Sequence, residues 1–131
     1  METSPRHQAR ERALSLMYEA ELKDDPPSAV LEALMVPPDP YTVALLRAVE
    51  DRRAEIDGLI DGAAIGWDLD RMAVVDRNVL RLAVAELLGS TDVPTAVILN
   101  EAVELASGYS TDDSGRFVNG VLATLAGRLR A

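Results

Sequence analysis

The chain has 131 residues, of which 48% are hydrophobic and 4% aromatic, and its 22 acidic and 13 basic side chains give a formal net charge of -9. That length fits one compact domain rather than two, with an aliphatic, alanine-rich core suited to close helix packing. The acid excess disfavours general adhesion to nucleic acid and favours a basic protein partner. No cysteine is present, which excludes disulfides and thiolate metal sites. The N-terminus lacks a leader-like apolar stretch and no run approaches the ~18 apolar residues of a membrane span, so a cytoplasmic protein without a membrane role is expected.

Ser4 and Pro5 make an N-cap and first-turn pair, and Ala9, Ala13, Leu16, Met17 and Ala20 recur at helical spacing, which predicts a first helix over about residues 5–22. On a wheel of 100° per residue its buried face centres near Ala9 and Ala20. Arg6 and Arg10 project along one edge, His7 and Leu14 lie on the adjoining flank, and Arg12 points away. Cations at the start and Glu19 and Glu21 at the end reverse the order that a helix dipole favours. A phosphate-binding edge and ordinary surface charge both stay open as readings.

Prolines confine DDPPSAVLEALMVPPDP to one short helix near residues 28–35. Asp39 and Pro40 open a longer helix, predicted to run unbroken to about residues 62–66, with Leu46, Val49, Ile56 and Ile60 on its buried face. WDLDRM reads as a turn or short helix capped by Asp68. AVVDRNVLRLAVAELLG is a helix stopped by a left-handed Gly89, and Pro94 separates it from TAVILNEAVELAS, which stops at Gly108. STDDS supplies caps for the last helix, GRFVNGVLATLAGRLR. Gly115 and Gly120 each cost roughly 1 kcal/mol there against alanine, and Gly120 is expected to admit a neighbouring backbone. No segment reads as a strand.

His7 is the only histidine, so neither a histidine-based triad nor a two-histidine metal site can be built. Glu101 and Glu104 stand one turn apart but lack the Glu-x-x-His motif of carboxylate-bridged metal bundles, and read as a solvated face. Asp68, Asp70, Asp112 and Asp113 read as caps. No phosphate loop, G-x-G-x-x-G or G-x-S-x-G is present, so no catalytic constellation, metal or cofactor is expected. Phe117, the only phenylalanine, is either core or a stacking platform, and composition favours core.

The run VDRNVLRLAVAELLGSTDVPTAVILNEAVELASGYSTDDSGRFVNGVL, with DVP, NEAVELA, TDDS and FVNGVL in that order, resembles the C-terminal half of the NusB family of bacterial transcription antitermination and ribosomal RNA processing factors. RHQARERALSLMYEAEL resembles the family's arginine-rich first helix. The resemblance spans nearly the whole chain and is weakest around residues 24–40. It implies an all-α NusB-like domain in two packed helical halves, about residues 1–66 and 67–131, matching the six or seven helices read from periodicity.

It also implies a non-enzymatic adaptor that grips single-stranded boxA RNA of nascent ribosomal transcripts jointly with NusE, the ribosomal protein S10. Such a factor joins the RNA polymerase elongation complex with other Nus factors. Carried over by position, Arg6, His7, Arg10, Phe117 and Asp113 fall at the family's RNA contacts, and Tyr18 and Asp76 at its NusE contacts. His7 and Gln8 stand where arginine is frequent in the family, Ser107 where lysine is, and Ala123 where aspartate is. This thinner basic edge leaves a second reading, a module that binds NusE with little or no RNA affinity of its own. Monomer and homodimer both stay open.

Overall fold

The computed structural model describes residues 4–130, and among them seven α-helices and no strand are found. They are α1 (Pro5–Lys23), α2 (Pro27–Ala33), α3 (Pro40–Asp51), α4 (Arg53–Ala63), α5 (Val74–Gly89), α6 (Thr95–Tyr109) and α7 (Asp112–Leu129), with a single 3-10 turn at Leu69–Arg71 before α5. No described helix is long and apolar enough to cross a membrane.

The expected caps open α1 and α3. The Ser4 hydroxyl accepts from His7 N, and Asp39 Oδ1 accepts from Tyr41 N at 2.8 Å. The predicted single helix beyond Pro40 instead breaks at Arg52, where the backbone leaves the helical region (φ -115°, ψ 25°). No proline or glycine forces that break. α3 buries Thr42, Leu45, Leu46 and Val49 against α1 and α5, whereas α4 buries Ile56, Ile60 and Ala63 against α5 and α7. One straight rod could not serve both sets of neighbours, so packing overrides a continuous helical propensity.

α5 is the interior helix. Eleven of its 16 residues are buried, and it touches α1, α3, α4, α6 and α7. Gly89 is its last residue and not a left-handed cap, since among the described glycines only Gly66 has positive φ. The carbonyls at its end are satisfied from the far end of the chain: the Arg130 guanidinium donates to the carbonyl oxygens of Glu86 (3.0 Å), Leu87 (3.0 Å), Ser90 (2.9 Å) and Val93 (2.6 Å).

α6 and α7 pack as a pair, and the glycine that permits it is Gly115, not Gly120. A Cβ on Gly115 would run into Ser107 Oγ and lie 3.4 Å from Val103 Cγ1, while one on Gly120 would meet nothing within 4 Å. Gly120 is exposed, so its lack of a side chain serves no close approach. Gly120→Ala is therefore expected to raise stability by about 0.5–1 kcal/mol, and Gly115→Leu to lower it by about 1–3 kcal/mol through overpacking. Urea denaturation checks both, and equal effects at the two positions would refute the assignment. At the start of α7, Thr111 Oγ1 accepts from Ser114 N at 3.1 Å, so Asp112 and Asp113 complement the helix dipole rather than cap it.

Candidate functional site

The basic edge of α1 is largely turned inward. Arg10 is only 3% exposed, because α3 and α5 close over the side of α1 that spacing alone places at the rim. Its Nε donates to Glu86 Oε2 at 2.9 Å and its Nη2 to Glu86 Oε1 at 2.8 Å, a bidentate pair. Burial by itself would lower the Arg10 pKa, but the hydrogen bonds and charge of Glu86 outweigh it and raise the value. Tyr41, in the first turn of α3, completes the arrangement: its hydroxyl donates to Glu86 Oε1 at 2.5 Å, and burial followed by that bond raises its pKa.

Over the Tyr41 ring, 4.4 Å from its centroid, lies the guanidinium of Arg6. That side chain is 49% exposed, with Asp92 at 3.9 Å. Of the Arg6 and Arg10 pair, Arg6 alone faces solvent, held by a cation–π contact rather than left mobile.

His7 reaches α6. Its Nδ1–H donates to Glu101 Oε2 at 2.5 Å, and its Nε2 lies 3.6 Å from Glu11 Oε1. Glu101 is therefore half-buried where its side chain bridges α6 to α1 and does not belong to a solvated face, whereas Glu104 is exposed as expected. The Glu101 hydrogen bond raises the His7 pKa above its ordinary 6.5 despite partial burial. A raised folded value means that the pair's contribution is complete below about pH 6.5 and fades as pH rises through the folded pKa. Stability is thus expected to fall by about 1 kcal/mol across that interval, a fall that His7→Gln abolishes. Thermal melts between pH 5.5 and 8.5 measure it, and parallel profiles for the two proteins would refute it.

A second region lies at the other end of α5. Trp67 and Phe117 meet edge to face, ring centroids 6.2 Å apart, and form one wall of a hollow of about 310 Å³ that also takes in Arg71, Asp76 and Asp113. Phe117, for which composition favours core, is half-buried against the core and also lines this hollow. Asp76 is 8% exposed, and its Oδ1 has no hydrogen-bond partner among the described residues. Asp113 is exposed at the rim, paired with Arg116. A neighbouring hollow of about 420 Å³, sharing Ala73, is lined by Tyr18 and Tyr109 over Asn78, whose Nδ2 also lacks a partner.

The structure thus brings Asp76, Asp113 and Phe117 into one hollow, sets Tyr18 in the next, and holds Arg6, His7 and Arg10 apart from both. Sequence reasoning passed over Tyr41, Trp67 and Glu86. Glu86 did carry a signal, a lone carboxylate within the apolar stretch from Leu82 to Leu88, where burial requires a charged partner. The sole tryptophan of the chain gave a weaker one.

Residues 7–127 match the model of the NusB family. The transcription antitermination protein NusB of Thermobifida fusca (strain YX) is 48% identical over 124 residues, which cover 92% of this chain and 87% of that one. T. maritima NusB superposes with a TM-score of 0.85 at 34% identity, covering 96% of this chain and 93% of its own. The crystal structure of antitermination factors NusB and NusE in complex with dsRNA superposes with a TM-score of 0.79 at 28% identity, over 95% of this chain and 99% of that one. Helical architecture, motif order and similarity along nearly the whole length agree, and the chain belongs to the NusB family.

Proposed function

We propose that this protein is a transcription antitermination factor that binds boxA-type single-stranded RNA of nascent ribosomal transcripts together with NusE, and through it joins the RNA polymerase elongation complex. The observation that carries the RNA half is Arg6, a half-exposed guanidinium fixed over Tyr41 and suited to a phosphate or a stacked base. Phe117 and Asp113 supply a ring and a hydrogen-bonding rim in the Trp67 hollow. Arg10 acts by positioning, since its guanidinium is engaged by Glu86. Tyr18 and Asp76, within a surface of net negative charge, suit a basic partner such as NusE.

With Arg10 turned inward, phosphate contacts fall to about one or two, and the salt slope for single-stranded RNA is expected near -1. Titrating labelled boxA RNA with the protein alone, with NusE added, and with Arg6→Ala or Phe117→Ala tests the reading. NusE should tighten binding, and each variant should weaken it about 3–10-fold, as one lost charge contact or one lost stacking contact would. If NusE leaves the affinity unchanged and both variants bind normally, the reading is wrong. The inward Arg10 and the carboxylates around His7 favour one alternative, a NusE-binding module without RNA contacts. For it, NusE would bind while both variants leave RNA affinity unchanged.

A further inference from the structure

His7 is brought into contact with a residue 94 positions away in the chain, and what surrounds it is a ligand set. One nitrogen of its ring and one carboxylate oxygen each from Glu101 and Glu104 lie within 4.8 Å of one another. We infer that His7, Glu101 and Glu104 form a binding site for a first-row divalent metal ion of the zinc type, with water completing its coordination.

Geometry supports this. A tetrahedral zinc with bonds of about 2.0–2.2 Å sets its ligand atoms about 3.4 Å apart. The His7 Nδ1 and Glu101 Oε2 atoms, 2.5 Å apart across a hydrogen bond, need to open by less than an ångström when a metal replaces the proton. Glu104 is exposed and free to swing inward. The second ring nitrogen has a carboxylate behind it at ion-pair distance: Nε2 lies 3.6 Å from Glu11 Oε1, and Glu11 in turn accepts from the Tyr109 hydroxyl at 2.8 Å. A carboxylate behind the non-ligating nitrogen is the arrangement that fixes a metal-binding imidazole.

Charge points the same way. Glu11, Glu101 and Glu104 set three carboxylates around one imidazole. Arg10, whose hydrogen bonds go to Glu86, forms an ion pair with Glu101 Oε1 at 3.7 Å and offsets one of the three, which leaves Glu11 and Glu104 in excess. A divalent ion would relieve that excess. One imidazole with two carboxylates suits zinc and its first-row neighbours better than magnesium or calcium, which select all-oxygen sets.

His7 is the only histidine of the chain, so in an untagged protein every imidazole signal is its own. Zinc titration of the full chain by calorimetry, with the His7 ring protons followed by NMR, is expected to show one saturable site, a shifted His7 signal and no displacement by excess magnesium. His7→Ala and Glu104→Gln, both checked for unchanged far-ultraviolet circular dichroism, should each weaken zinc binding about tenfold or more. Absence of saturable uptake, an unmoved His7 signal, or normal binding by either variant overturns the inference. The zinc measurements contain no RNA, so failure of the metal site and failure of the RNA reading are distinguishable.

Discussion

Glu86→Leu is expected to cost about 3–5 kcal/mol of folding stability, the cost of stranding a buried charge. Glu86 sits at 2% exposure and receives three hydrogen bonds from Arg10 and one from Tyr41. Its removal leaves the Arg10 guanidinium in the interior with the longer approach to Glu101, 3.7 Å away, and the face of the Tyr41 ring, 5.7 Å from its centroid. The pair itself contributes far less than the loss of one member suggests, because desolvating both ions offsets most of their attraction. The double variant Arg10→Met/Glu86→Leu should therefore recover to within about 1 kcal/mol of the original protein or exceed it. Urea denaturation of the single and double variants closes the cycle. A single variant costing under about 1 kcal/mol would mean that Arg10 escapes to solvent, contrary to its burial.

Arg130→Ala is expected to cost about 2–3 kcal/mol, since hydrogen bonds from a charged donor are individually worth about 1.5–3 kcal/mol. The four carbonyl oxygens that this residue engages belong to the end of α5 and the turn after it, where a helix has no internal donors left. Arg130→Lys should recover little, because an ammonium cannot reproduce the planar fork. Arg128→Ala, at an exposed position two residues earlier, should stay within about 0.5 kcal/mol. Melting temperatures of the three variants separate these outcomes, and a lysine variant as stable as the original would point to charge alone.

The helices were legible where local chemistry decided them. Ser4, Asp39 and the prolines beside them announce their caps, and apolar periodicity gives α1, α5, α6 and α7 with ends close to those observed. The break at Arg52 was not legible, because its cause lies in which helices α3 and α4 face. The same holds for the two glycines, since a sequence shows only that a glycine is there and not whether Ser107 stands opposite it. The basic edge was half legible. A wheel places Arg6 and Arg10 on one side, but whether that side meets solvent or Glu86 depends on a helix 76 positions away. In sequence His7 is an isolated imidazole for the same reason, since its partner Glu101 is 94 positions away and meets it only in the folded chain.

α5 also works as a ruler. Glu86 anchors the Arg10 and Tyr41 cluster beneath Arg6, and Asp76 borders the Phe117 hollow. Ten residues of helix at 1.5 Å each separate those two anchors by about 15 Å. Walled in by five other helices, α5 has little freedom to bend or slide, so the two regions keep that interval whatever approaches them. A ligand that spans both must supply the matching length, and one that is too short can satisfy only one end at a time.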